Sequence, residues 1–70
     1  MFNFGEHLKM MRLEKGITQK QLGEATGVSE RGIQNYELGY RKPNYDMLQA
    51  LANYFDCSLD YLTGRSNNLK

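Results

Sequence analysis

Residues 18–37 read TQKQLGEATGVSERGIQNYE and predict two short helices joined by a tight turn. Thr18 is a favourable N-cap and Gln21 occupies the third helical position, so together they form a capping box that defines where the first of these helices begins. We expect this helix to run to Thr26, after which Gly27 supplies the left-handed residue that ends it. Ser29 then caps the second helix. A three-residue connection of this kind is typical of a helix-turn-helix.

The two predicted helices have one apolar face and one polar face. At the helical period, the apolar positions fall together on the inner side: Leu22, Val28, Ile33 and Tyr36. The outer side of the second helix keeps charged and amide side chains, namely Glu30, Arg31, Gln34 and Asn35. These side chains are therefore expected to point outward from the second helix.

A further helix is expected before this stretch and two more after it. Asn3 is the expected N-cap of the first helix, whose apolar stripe consists of Phe4, Leu8 and Met11. After the central pair, Gly39 permits a left-handed cap and Pro43 bars helical geometry at the residue before it, so a loop is expected. Asn44 caps a fourth helix, and Ser58 caps a short fifth helix that ends at Gly64. The sequence thus predicts an all-α chain of five helices.

The length and charge of the chain bound its architecture. Seventy residues allow one domain, which we expect over residues 1–65, with residues 66–70 as a frayed tail that ends the protein or leads into a longer one. Cys57 is the single cysteine, and no leading hydrophobic segment or apolar run of membrane length is present, so a cytoplasmic location is expected. The net charge is +1, but residues 44–63 contain three Asp and no Lys or Arg, which predicts one basic and one acidic face.

The order of these features resembles the phage repressor and Cro (XRE-like) family of helix-turn-helix domains. The motif positions that carry the resemblance are Gln19, Leu22, Gly23, Gly27, Val28, Ile33 and Tyr36. The flanking helices and the loop with Gly39 and Pro43 agree with it, so the similarity spans residues 4–64. Gly23 and Gly32 depart from the family, which more often has alanine or a small hydroxyl residue there, and each glycine costs about 1 kcal/mol of helix propensity.

The resemblance implies a compact five-helix, lambda-repressor-like DNA-binding domain that regulates transcription, as a repressor rather than an activator. Its third helix would enter the major groove, where each base pair presents a distinct pattern of donors, acceptors and methyl groups. The expected base-reading residues are Ser29, Glu30, Arg31, Gln34 and Asn35, and the alternative is an ordinary solvated helix face. Arg31 suits guanine, and Asn35 or Gln34 suits adenine. Glu30 suits cytosine, whereas Ser29 has the alternative of acting only as a cap, and Gln34 of pointing partly away.

Phosphate contacts are expected at two places beside the third helix. Gln19 and Lys20 begin the second helix, where a side chain and the helix amides can meet a phosphate oxygen without reading sequence. Tyr40, Arg41 and Lys42 directly follow the third helix and place two adjacent cations beside a tyrosine. The alternative for this second group is an ordinary solvated connector.

The resemblance also implies a structural ion pair between Arg12 and Glu37. In the family, an arginine at the first of these positions forms a partly buried salt bridge with a glutamate at the second. Glu37 ends the third helix facing back toward the first, and removing one partner of a desolvated pair is costly. The alternative is two solvated charges.

A homodimer on DNA is expected, because one recognition helix reads too few base pairs. Related proteins place two copies about 34 Å apart on a two-fold symmetric operator, and such pairing needs a self-complementary surface. The fifth helix is the candidate, with Leu59 and Tyr61 as its residues. The alternative for Tyr61 is an ordinary exposed tyrosine.

Other classes of function have little support in the sequence. It contains no paired catalytic carboxylates on a predicted rigid element, no Ser/His/Asp set and no glycine-rich phosphate loop, so no enzyme is expected. His7 has no second histidine or suitably spaced cysteine, so we expect it at the surface rather than on a metal. No cofactor, small-molecule ligand or membrane contact is expected. The alternative function is a protein-interaction module with this fold, such as an anti-repressor or an antitoxin that acts through its toxin.

Overall fold

The computed structural model describes residues 2–66, and every regular element in this range is an α-helix. The helices are α1 (Phe4–Glu14), α2 (Gln19–Thr26), α3 (Glu30–Leu38), α4 (Tyr45–Phe55) and α5 (Leu59–Leu62). This confirms the predicted all-α class with five helices, in which α2 and α3 form the helix-turn-helix. The predicted tail falls mainly on residues 67–70, which lie outside the described residues.

Each helix begins directly after the residue that the sequence predicts as its N-cap. The side chains of Asn3, Thr18, Ser29, Asn44 and Ser58 each accept a hydrogen bond from the backbone N–H three residues further on. Such a bond satisfies one of the amide donors that the first turn of a helix leaves without a partner. The α2 capping box is complete, because the Gln21 side chain accepts from the backbone N–H of Thr18 at 2.9 Å. Local sequence therefore determines where the helices start.

Two glycines build the turn between α2 and α3. Gly27 has a φ of +81°, a left-handed conformation that other residues rarely adopt, and it ends α2 as predicted. At Gly23 a Cβ would lie 2.3 Å from the carbonyl oxygen of Val28. The carbonyl of Gly23 also accepts hydrogen bonds from the backbone N–H groups of Gly27 and Val28, at 2.8 and 2.9 Å. Gly23 therefore has a packing role in the turn in addition to its cost in helix propensity.

All five helices contribute to one core. Each helix supplies one fully buried side chain: Leu8, Leu22, Ile33, Leu51 and Leu62. Met11 and Ala52 complete this core, and the predicted inner-face residues Val28 and Tyr36 are half-buried and pack against it. Because every helix packs one apolar face on this shared cluster, the polar faces are left for the surface.

The start of α1 lies directly against the end of α3. A Cβ at Gly5 would lie 2.3 Å from the carbonyl oxygen of Glu37 and 2.7 Å from that of Tyr36. Only a residue without a side chain allows the two backbones to approach this closely. The contact holds the C-terminal end of α3 against α1, which orients the exposed face of α3.

The structure differs from expectation in the exposure of two peripheral residues. His7 does not lie freely at the surface, because its Nε2 atom is buried and has no hydrogen-bond partner within the described chain. Its ring packs between the rings of Phe2 and Tyr61, with centroid distances of 5.3 and 5.0 Å. Tyr61, expected as a dimer contact or an ordinary exposed tyrosine, is half-buried and packs against the core. These three aromatic rings join the start of the described chain to α5.

Candidate nucleic-acid interface

The outer face of α3 is open to solvent. Glu30, Arg31 and Gln34 are exposed, and within residues 2–66 their side chains form no hydrogen bond or ion pair. On the inner side of the helix, Ile33 is fully buried and Glu37 is only 8% exposed. These two buried residues fix the rotation of α3 about its axis. The helix therefore presents a carboxylate, a guanidinium and an amide that are available to an external partner.

The remaining two predicted base-reading residues lie at the margins of this face. Ser29 is exposed, and its Oγ accepts a hydrogen bond from the backbone N–H of Gly32 at 3.0 Å, which is the cap of α3. Asn35 is half-buried, and its backbone carbonyl accepts from the N–H groups of Tyr40 at 2.9 Å and Arg41 at 3.4 Å. A role in reading bases remains a prediction for both.

The loop after α3 holds two cations at the surface. Gly39, with a φ of +83°, ends α3, and the backbone bonds to Asn35 then fasten the loop to the helix. Tyr40 is 75% exposed, and Arg41 and Lys42 are also exposed. The cations line a groove of about 410 Å³ together with residues of the N-terminal segment and of α4. The loop is thus a fixed extension of α3 rather than a detached connector.

One buried carboxylate joins α1, α2 and α3. Arg12 donates from Nε to Oε2 of Glu37 at 2.6 Å and from Nη2 to Oε1 at 3.2 Å, which makes a two-point ion pair. The third guanidinium nitrogen, Nη1, donates to the carbonyl of Ile17 at 2.9 Å. Gln19 adds a fourth bond, from its Nε2 to Oε1 of Glu37 at 3.1 Å. Arg12 and Glu37 are each 8% exposed, so the pair is desolvated rather than two solvated charges.

Two shallow depressions connect the start of α2 with α3. Gln19 and Lys9 line both of them, together with Gln34 in one and Glu30 in the other. The predicted phosphate residue Gln19 therefore shares a continuous surface with two predicted base-reading residues. Sequence reasoning did not single out Lys9. Its position one helical turn before Arg12 is the signal that could have indicated it, because residues three apart lie on the same side of a helix.

The structure separates the predicted phosphate residues into two groups. Lys20 is exposed at the start of α2, next to Gln19 and the depressions. Arg41 and Lys42 line the groove beside Phe2 and not the depressions at Gln19. Two cationic positions therefore lie at different places around the exposed face of α3, an arrangement that can bind an extended polyanion at more than one point.

The predicted dimer residues belong partly to the core. Leu59 and Tyr61 are both half-buried and pack against the buried cluster, so only part of each side chain is available to another molecule.

Cys57 is also half-buried. Burial and, to a smaller extent, the negative charge of Asp56 raise the pKa of its thiol. A raised thiol pKa means little thiolate at neutral pH, which is the opposite of what a nucleophilic cysteine needs.

Neither a metal-binding cluster nor a membrane-spanning helix is formed in the described part of the chain. Within residues 2–66, no group of three or more His, Cys, Asp or Glu side chains lies close enough together to hold a metal ion. None of the five helices has the length and apolar character required to cross a membrane.

Comparison with known proteins identifies the family. A profile of the helix-turn-helix family matches residues 8–62. Two relatives from Bacillus subtilis (strain 168) are the uncharacterized HTH-type transcriptional regulator YqaE, 39% identical over 67 residues, and the HTH-type transcriptional regulator ImmR, 38% identical over 63 residues. The matched regions cover 96% and 90% of this chain but 58% and 50% of the two relatives. The chain thus spans about half the length of the curated relatives it matches.

A solved structure agrees with this assignment. The crystal structure of the P22 c2 repressor protein in complex with synthetic operator 9T superposes with a TM-score of 0.88 at 33% sequence identity. The superposition covers 94% of this chain and all of the repressor chain. From the match over most of its length and the shared five-helix fold, we conclude that this chain belongs to the phage-repressor (XRE) type of helix-turn-helix proteins, a family of DNA-binding transcription regulators.

Proposed function

We propose that this chain is a transcriptional repressor that binds a specific DNA operator by placing α3 in the major groove. The observation that carries the proposal is the face of α3, where Glu30, Arg31 and Gln34 are exposed and have no partner within residues 2–66. Exposed groups of both signs on a helix held rigidly by a buried inner face suit the readout of base edges. The similar P22 c2 repressor was solved with a synthetic operator, which supports the same mode of binding here.

Each exposed group has a base that matches its chemistry. The guanidinium of Arg31 can donate two hydrogen bonds to O6 and N7 of guanine. The amide of Gln34 or Asn35 can donate to N7 and accept from N6 of adenine, and the carboxylate of Glu30 can accept from N4 of cytosine. Each well-made pair contributes about 1–3 kcal/mol of discrimination against the wrong base. Specificity therefore rests on a small number of side chains.

Phosphate contacts position α3 without reading sequence. Lys20 lies beside the depressions at the start of α2, whereas Arg41 and Lys42 lie in the loop after α3. These cations can bind the DNA backbone on different sides of the major groove. Tyr40, which is 75% exposed, can donate its hydroxyl to a phosphate oxygen in the same loop. For a dimer that neutralises about 6 to 10 phosphates, the slope of log K against log salt is expected to be about −5 to −9.

A mobility-shift assay with genomic fragments tests this function. We expect one or a few fragments to shift in the presence of excess random DNA, with an affinity that falls steeply as salt is raised. Equal affinity for all fragments would contradict sequence specificity. No shift of any fragment, or a shift whose salt slope is near zero, would instead favour the protein-interaction module.

The operator is proposed to be two-fold symmetric and to bind a homodimer. Two copies on one face of the DNA would place their α3 helices in successive major grooves about 34 Å apart. Leu59 and Tyr61 are the proposed contacts, and because each is half-buried in its own chain, the interface is small and the dimer forms mainly on DNA. Sedimentation of the free protein and titration of a duplex with two half-sites test this. Binding that is unaffected when one half-site is deleted would contradict the dimer.

A further inference from the structure

The amide of Gln19 is held in place by a buried charge. Its Nε2 donates to Oε1 of Glu37 at 3.1 Å, and the same carboxylate is fixed by two hydrogen bonds from Arg12. A carboxylate only accepts hydrogen bonds, so the amide must present its NH₂ group and not its oxygen to Glu37. The orientation of the Gln19 side chain is therefore determined before any ligand binds.

The remaining hydrogen-bond capacity of Gln19 is available to a partner outside the chain. Nε2 carries two hydrogens, and the bond to Glu37 uses one of them. Gln19 is the first residue of α2, where backbone N–H groups are also directed outward, and it lines both depressions beside α3. A donor fixed at this place matches an anionic oxygen that approaches the start of the helix.

We propose that Glu37 is a positioning residue for DNA binding, which holds the amide of Gln19 ready to donate to a backbone phosphate. This inference rests on the proposed function and adds a role for an acidic residue that does not itself contact DNA. A free glutamine side chain loses rotamer freedom when it binds, and a side chain already held in one orientation avoids most of that loss. The buried carboxylate would thus increase affinity for a polyanion, although its own charge is negative.

The expected signature is coupling between the two positions in DNA affinity. In Glu37→Gln, one amide oxygen replaces two carboxylate oxygens, so Arg12 and Gln19 compete for a single acceptor. We expect Gln19→Ala to weaken binding about tenfold in the parent chain, because a hydrogen bond to a charged group is lost. In the Glu37→Gln background, the same change should weaken binding about twofold or less.

A double-mutant cycle on duplex DNA of arbitrary sequence tests the proposal, because phosphate contacts do not depend on sequence. The matched control is Lys20→Ala, since Lys20 is a proposed phosphate contact next to Gln19 that has no bond to Glu37 within residues 2–66. Its effect should be the same in both backgrounds. All variants are compared at a temperature where circular dichroism shows them fully folded. An equal effect of Gln19→Ala in both backgrounds would overturn the positioning role and leave Glu37 with a structural role only.

A measurement on the unaltered protein keeps the test valid if Glu37→Gln fails to fold. We expect nuclear magnetic resonance of the free protein to show one dominant χ1 rotamer and a rigid side-chain amide for Gln19, in contrast to the exposed Gln34. Averaged rotamers at Gln19 would overturn the proposal. Its failure is distinguishable from failure of the proposed function: salt-dependent binding of DNA by the parent chain, with no loss in Gln19→Ala, would refute the positioning role alone.

Discussion

Replacing Glu37 with alanine should destabilise the fold strongly, although Glu37 adjoins the exposed face of α3. The substitution removes the acceptor of three hydrogen bonds, two from Arg12 and one from Gln19. Arg12 is 8% exposed and would keep its charge, with only the bond from Nη1 to the carbonyl of Ile17 left. Breaking a buried pair by removing one partner costs about 3–5 kcal/mol, and the retained bond places the expected loss near the lower end.

That loss is large for a domain of this size. Seventy residues correspond to about 4–10 kcal/mol of total stability, and each kcal/mol corresponds to about 4–8 °C in Tm, so a decrease of about 12–24 °C is expected. Thermal unfolding followed by far-ultraviolet circular dichroism measures it, with Glu24→Ala as the control because Glu24 is exposed on α2 and has no partner in the described chain. A Tm for Glu37→Ala equal to that of the control would refute the reasoning.

Three further predictions concern DNA readout, packing and thiol chemistry. Arg31→Ala should relax base preference at one operator position, while Lys42→Ala should weaken binding to specific and random DNA by similar factors. If Arg31→Ala lowered the affinity for both DNAs equally, the recognition surface would lie elsewhere. Gly5→Ala should lower Tm in thermal unfolding, because a Cβ 2.3 Å from the carbonyl oxygen of Glu37 would force two backbones apart. This places the cost toward the upper end of the about 1–3 kcal/mol typical of overpacking, above the gain of about 1 kcal/mol in helix propensity, and a raised Tm would contradict the close approach. The Cys57 thiol, whose pKa is raised by burial and by Asp56, should react with iodoacetamide more slowly than free cysteine at mildly alkaline pH. After unfolding it should react at the rate of free cysteine. A folded chain that reacts as fast as free cysteine would contradict the raised pKa.

The helices of this chain could be predicted from sequence because their signals are local. Asn3, Thr18, Ser29, Asn44 and Ser58 each bond the backbone three residues away, so the information needed to place a helix start lies within one turn. The apolar spacing of each helix then selects the face that packs. The end of α5 was less predictable, because it stops at Leu62 and not at Gly64.

Features that depend on contacts between distant residues were not predictable in the same way. The close approach at Gly5 involves the backbone of residues more than thirty positions away, and nothing in the local sequence indicates it. The same holds for His7, whose ring packs between Phe2 and Tyr61. The bond between Gln19 and Glu37 also joins residues 18 positions apart, on two different helices. The family resemblance indicated that Arg12 pairs with Glu37, but it did not indicate the hydrogen bond from Gln19 to the same carboxylate.

Selection from a library of randomised DNA duplexes tests the central claim most directly, namely that α3 reads a specific two-fold symmetric operator. After several rounds with the unaltered chain, we predict enrichment of a near-palindrome whose half-sites lie one helical turn apart, about 10–10.5 base pairs between centres, or a multiple of that spacing. The same selection with Arg31→Ala should lose the preference at one position in each half-site and keep the spacing. Retention of the random composition by the selected pool, with undiminished binding to it, would contradict the account.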